Sequence, residues 1–234
     1  MKSVIRSIRA LHYGLFLFGA LFASPARVSD PSVPASVRSC PTPEVQVVAA
    51  ITVDFRDVCI GAQAALAFFA AHGLQPTAPL VMEVTRQVPA EAGRNAAGSY
   101  LEQRSRSFML PYADFRKFKT WFNVPVDRKL YQSLATHEAA HAVAAGNFKI
   151  PNPTIQAKEY VAYVAMFSTM SEDLRERVLR AMPGDGLSTP DRLTALLYMF
   201  DPMRFGAESY RHYSKLENGA AFLQSVLDGN ILTD

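Results

Sequence analysis

The feature that most limits what this chain can become is the pentad His137-Glu138-Ala139-Ala140-His141, set inside LYQSLATHEAAHAVAA. The flanking residues are good helix formers. Asp127 stands ahead of them as an N-cap and Gly146 behind them as a stop, so the sequence predicts a helix over 127–145. Side chains four apart on a helix are separated by about 400°, which puts the two imidazoles on one face, one turn apart. Leu130, Leu134 and Ala144 share that face, so the histidines point toward a core. Two imidazoles so placed can reach one metal ion, and zinc suits imidazole and carboxylate ligands. Glu138 lies about 100° around the helix, where it can lean toward a water on the metal and take its proton without ligating. The alternatives are two buried histidines with ordinary hydrogen bonds, or a purely structural metal. With five His and ten Glu in 234 residues, random order gives this pattern about 0.005 times per chain.

A catalytic zinc takes a third protein ligand. The pattern HExxHxxGxxH fails here, because the chain has Ala144 and Asn147 at the two decisive positions. Outside the N-terminal segment the other histidines are His72 and His212. Glu159 is the better candidate. It follows Gly146, Pro151 and Pro153, on a second helix that Thr154 can cap and that runs through Met166 and on toward Arg180. Its neighbours Ile155, Tyr160, Val161, Ala162, Tyr163 and Val164 are almost all apolar. A carboxylate in such a helix is costly to bury unless paired or coordinated. The bland alternative is a partly exposed helix face beside Lys158. Glu172, Asp173 and Glu176 belong to the charged run SEDLRER and read as a solvated face.

His137-Glu138-x-x-His141, followed after a short linker by Glu159-x-x-Ala162, resembles the gluzincin branch of the HExxH zinc metallopeptidases. The resemblance covers residues 127–166. It implies zinc held by His137, His141 and Glu159, with Glu138 as general base and acid. It implies a β-sheet ahead of the active-site helix, whose edge strand binds an extended substrate; here that strand falls within 99–110. It also implies a Tyr or His from the C-terminal helices to hold the oxyanion, for which the segment Glu208-Ser209-Tyr210-Arg211-His212-Tyr213 offers Tyr210 and His212. Several gluzincins carry an acid four residues after the ligand Glu, supporting a ligand His. This chain has Tyr163 there, so that support must come from elsewhere.

The formal net charge of +3 raises the question of nucleic acid, and its distribution answers it. Residues 1–26 contain Lys2, Arg6 and Arg9 and no acid, then an apolar run over 10–23 and Ser24-Pro25-Ala26. That is the layout of a cleaved signal peptide. The apolar run would make a helix of about 21 Å, short of a ~30 Å hydrocarbon core; an uncleaved anchor and a core helix are the alternatives. Removing the three bases from 24 leaves 21, against 21 acids. The basic footprint that nucleic acid needs goes with the leader, and no stable membrane span is expected after cleavage. The expected location is secreted or periplasmic, where Cys40 and Cys59 can form a disulfide.

Hydrophobic residues at 49% and charged residues at 19% describe a folded chain. Residues 27–43 read as an extended Pro/Ser-rich leader and 44–234 as a single domain. Strands are expected over 45–53 and 79–88 and within 99–110, as one strand or a hairpin, and a helix over 56–72. Residues 112–122 are ambiguous, and 90–98 and 183–190 read as loops. Short helices are expected over 191–200, 205–213 and 219–227. Strands first and helices after argue an α+β fold: a small mixed sheet, then the HExxH helix, the Glu-ligand helix and a helical C-terminal part, zincin-like by the resemblance. Two functions compete. One is a zinc-dependent peptidase acting on a peptide or protein substrate. The other is a non-catalytic envelope protein that keeps such a fold as a binding or scaffold module. Retention of Glu138 favours catalysis. The sequence does not fix an oligomeric state.

Overall fold

Burial with a period of two marks the strands that organise the domain. In a computed structural model, β2 (Val45–Ala49) and β3 (Leu80–Val84) each alternate buried and half-buried residues, so one face of each packs while the other stays near solvent. The structure describes residues 36–233 apart from 43, 50–53, 90, 92–95 and 187–188. The signal-peptide reading of 1–26 and residues 27–35 of the leader lie outside the described residues.

The fold is α+β, with a mixed five-stranded sheet. Besides β2 and β3 it contains β1 (Ser36–Ser39), β4 (Gly98–Leu101) and β5 (Arg106–Met109), in the order β1-β2-β3-β5-β4. β2, β3 and β5 run parallel, and β1 and β4 are antiparallel edges. The hairpin considered for 99–110 is present as β4 and β5, joined by a tight turn in which Ser105 has φ 46. β1 shows that the Pro/Ser-rich segment contributes a sheet edge at 36–39, where no hydrophobic pattern announces one.

Two helices cover the packed face. α1 (Phe55–Ala71) follows β2, and α3 (Arg128–Ala145) carries the pentad. They approach closely because Gly61 has no side chain: a Cβ there would lie 2.3 Å from the Gln132 carbonyl oxygen and 2.6 Å from the Ala135 Cβ. Thr136 Oγ1 donates to the Gly61 carbonyl at 3.0 Å across the same seam. From the sheet, buried Ser107 on β5 donates to the Glu138 carbonyl at 2.8 Å. The pentad helix is thus pinned on both sides. A disulfide, Cys40–Cys59, ties the β1–β2 connection to α1.

α4 (Ile155–Thr169) packs against α3. Both caps expected from sequence are made: Asp127 Oδ1 accepts from the Leu130 N–H at 2.8 Å, and Thr154 Oγ1 from the Ala157 N–H at 3.2 Å. The second helix does not continue to Arg180. It ends at Thr169, Met170 is extended, and α5 (Glu172–Ala181) restarts. The break turns a helix that is buried nearly all round into one with a single buried stripe at Leu174 and Val178. α6 (Ala195–Phe200), α7 (Pro202–Ser214) and α8 (Gly219–Leu227) complete the helical part.

The ambiguous stretch holds a short helix α2 (Tyr112–Phe115) and a small hairpin of β6 (Thr120–Trp121) and β7 (Val124–Pro125). Its turn residues Phe122 and Asn123 have φ 51 and 57. Asn accepts that conformation readily and Phe does not. Phe122 is fully buried, edge-on to Trp121 and Phe167, and its packing offsets the backbone cost.

Candidate metal centre

α3 and α4 bring three ligand-type groups to one point. His137 Nε2 lies 3.1 Å from His141 Nε2. Glu159 Oε2 lies 3.4 Å from His137 Nε2, and Glu159 Oε1 lies 3.5 Å from His141 Nε2. A tetrahedral ion with bonds of about 2.0–2.2 Å needs ligand atoms about 3.3–3.6 Å apart, so the donor set fits a zinc ion once the two imidazole nitrogens, at 3.1 Å, part slightly. His137 and Glu159 are buried and His141 is half-buried. Among the described residues, no hydrogen-bond partner meets His137 Nδ1 or Glu138 Oε2, and Glu159 Oε2 has only the 3.4 Å approach of His137 Nε2. Polar atoms so poorly satisfied at one buried place are expensive for a fold that gains nothing from them.

The cluster opens on a cavity of about 120 Å³ lined by Gly98, Ser99, Tyr100, His137, Glu138, His141, Glu159 and Tyr198. Glu138 faces this space from beside the ligands. Gly98 makes its position possible: a Cβ there would lie 2.5 Å from Glu138 Oε1. The third wall is edge strand β4, which starts at Gly98, one residue ahead of the 99–110 segment expected from sequence. A larger groove of about 980 Å³ includes Glu83, Arg86, Phe108 and Phe118. Phe108 follows Ser107, which faces α3, so this groove is on the other side of the sheet and takes no part in the cluster.

Charge in the cluster is set by burial and mutual pairing. Burial pushes the Glu138 carboxyl up to about 8, with His137 pulling against it. Burial lowers His141 to about 4, against the pull of Glu159. Burial would also lower His137, but the Glu159 carboxylate outweighs it and the net shift is upward. For Glu159 burial acts upward, and the two histidines outweigh it to hold the carboxyl below its ordinary range. An ionised Glu159 and a neutral His141 are the forms that bind metal.

Tyr198 was not anticipated. It reaches the cavity from α6, its phenol pairs with the Glu159 carboxylate, and burial and that carboxylate keep it protonated. The two residues that sequence proposed for this role lie elsewhere. Tyr210 stacks on Phe167 at 5.4 Å. His212 Nδ1 is 3.0 Å from the Tyr160 hydroxyl, and its ring packs on Phe222. Neither lines the cavity. Both are on α7, whose inward stripe is spent on α4. A signal for Tyr198 was available only as one aromatic in the apolar run ALLYMF, which reads equally well as core.

Two further positions follow from the departures noted in sequence. Tyr163 stands at the position where several gluzincins carry an acid, and it packs its ring on that of His137 at 4.4 Å. Asn147 stands where a third histidine occurs in the other HExxH pattern. It caps the end of α3 instead, donating to the Val143 and Gln75 carbonyls at 2.8 and 2.9 Å.

A family model matches residues 45–234, which is most of the chain and includes every element from β2 onward. The chain belongs to a family of unknown function, DUF6639. The matched span contains His137, Glu138, His141, Glu159, Gly98 and Tyr198. No curated protein and no solved structure matches the chain.

Proposed function

We propose that this protein is a zinc-dependent metallopeptidase of gluzincin type, with a zincin-like domain, acting in a secreted or periplasmic setting. The observation that carries this is the meeting of His137, His141 and Glu159 at spacings near those of metal ligands, with Glu138 beside them on a cavity walled by an edge strand. A zinc ion held by the three ligands would supply a Lewis acid and make water acidic enough to react at neutral pH.

The chain's own groups account for the rest. Glu138 accepts a proton from the attacking water and returns it to the amine that leaves. The protonated phenol of Tyr198 lies on the cavity wall and donates to the carbonyl oxygen as it gains charge. Among the described residues β4 is paired with β5 on one side only, which leaves backbone groups for an extended substrate. The Cys40–Cys59 disulfide fits an oxidising compartment. Among the described residues no helix is long and apolar enough to cross a membrane.

The test is Glu138→Gln in the zinc-loaded protein, assayed on an unfolded protein substrate. Retained zinc with hydrolysis lost supports the reading. Equal behaviour of wild type and variant, with no hydrolysis by either, would identify a binding or scaffold module.

A further inference from the structure

The ring of His137 is oriented by packing. Its Nδ1 is buried and meets no partner among the described residues. A histidine that ligates through Nε2 carries its proton on Nδ1. A ligand histidine ordinarily gives that proton to an oxygen acceptor, which fixes the ring and strengthens it as a donor to the metal. Two rings stand against His137 instead. His141 meets it edge-on at 4.6 Å between centroids, and Tyr163 lies tilted against it at 4.4 Å.

Tyr163 is itself held in place. It follows Glu159 by four residues on α4, so the ligand carboxylate and the phenol ring share one helix face, one turn apart. Phe122 stands edge-on to the Tyr163 ring at 6.0 Å. The backbone of α7 lies directly against the same ring: a Cβ at Gly206 would be 2.6 Å from Tyr163 Cδ1. Gly206 is inside α7, where glycine costs about 1 kcal/mol relative to alanine. The close seat of the ring is a reason for the helix to carry it. Gly206, Tyr163 and His137 thus form a continuous stack from α7 to the metal cluster.

Resting on the zinc-site reading above, we propose that Tyr163 is a positioning residue for the metal. Its ring holds the His137 imidazole in the orientation that ligation needs, and Gly206 sets the place of the ring. An acid at this position would act through a hydrogen bond; Tyr163 acts by shape. Zinc affinity therefore depends on an aromatic ring at 163 and on the absence of a side chain at 206, and not on the Tyr163 hydroxyl.

The experiment measures zinc affinity by competition with a chromogenic chelator, alongside denaturant unfolding of the zinc-free proteins. Tyr163→Phe keeps the ring and should bind zinc as the wild type does. Tyr163→Leu should weaken zinc binding about 10–100-fold, the range for losing a group that orients a ligand. Gly206→Ala should also weaken it, because the methyl displaces the ring, although alanine is the better helix former. In the variant carrying both Gly206→Ala and Tyr163→Leu the two losses should not add, since the smaller side chain gives the methyl room. Wild-type zinc affinity in both Tyr163→Leu and Gly206→Ala would overturn the inference, make the ring ordinary core and leave the zinc site standing. A loss in Tyr163→Phe equal to that in Tyr163→Leu would overturn it as well, by placing the role in the hydroxyl. Should Tyr163→Leu fail to fold, Gly206→Ala decides alone. A wild type that binds no zinc would overturn both the inference and the reading beneath it.

Discussion

The described residues place histidines in two contrasting surroundings. On α1 and α7, His72 and His212 are satisfied. His72 Nδ1 meets the Phe68 carbonyl and its Nε2 the Tyr213 hydroxyl, both at 2.8 Å, while His212 Nδ1 meets Tyr160. On α3, His137 and His141 face each other and Glu159 at spacings near those of metal ligands, with His137 Nδ1 unpaired. The first region shows how this fold buries a histidine for packing alone: it supplies a tyrosine. The second shows polar groups gathered beyond what the fold can satisfy. The difference marks His137 and His141 as candidate ligands by hydrogen-bond accounting, without reference to any motif.

The contrast can be broken by substitution. The largest effect is expected for Glu138→Gln, which should lower kcat by about 10²–10⁴-fold while zinc content, read by atomic absorption, stays at wild type. Loss of zinc in that variant would mean Glu138 is a ligand rather than a base. Next is Gly98→Ala. Its methyl must displace the Glu138 carboxylate, so a fall of about 10²-fold in kcat with zinc retained is expected. A kcat within a few-fold of wild type would show that the position of Glu138 against β4 does not matter.

The pentad, its helix limits, both caps and the approach of Glu159 followed from sequence, because each rests on local chemistry: an i, i+4 spacing, an N-cap, a carboxylate too costly to bury alone. Tyr198, Gly98 and the true surroundings of Tyr210 and His212 did not. Those depend on which helix face meets which neighbour across long stretches of chain. An amphipathic stripe on α7 says that a face is buried, not that it is buried on Phe167 and Phe222. The same limit explains the β6–β7 turn. Phe122 at φ 51 contradicts local preference, and its distant partners Tyr163 and Phe167 help stabilise it.

Two smaller predictions sharpen the comparison from the structural side. Replacing Cys40 and Cys59 together by Ser should cost about 3 kcal/mol in denaturant unfolding, the chain-entropy worth of the loop between them, with kcat of the folded protein unchanged. An equal loss of zinc affinity would tie the disulfide to the site. Tyr160→Phe should cost about 1–2 kcal/mol by leaving His212 unpaired in a buried setting, again with zinc and hydrolysis intact. A drop in kcat there would place His212 in the chemistry after all.

The most direct test is X-ray absorption at the zinc edge on wild type and Glu159→Gln, each dialysed against a large excess of buffer after zinc loading. The account predicts one zinc per chain in the wild type, with two imidazole nitrogens and a carboxylate oxygen at about 2.0–2.2 Å, and loss of most of that zinc in the variant. A wild type that retains no zinc, or a zinc shell without two imidazoles, would contradict it.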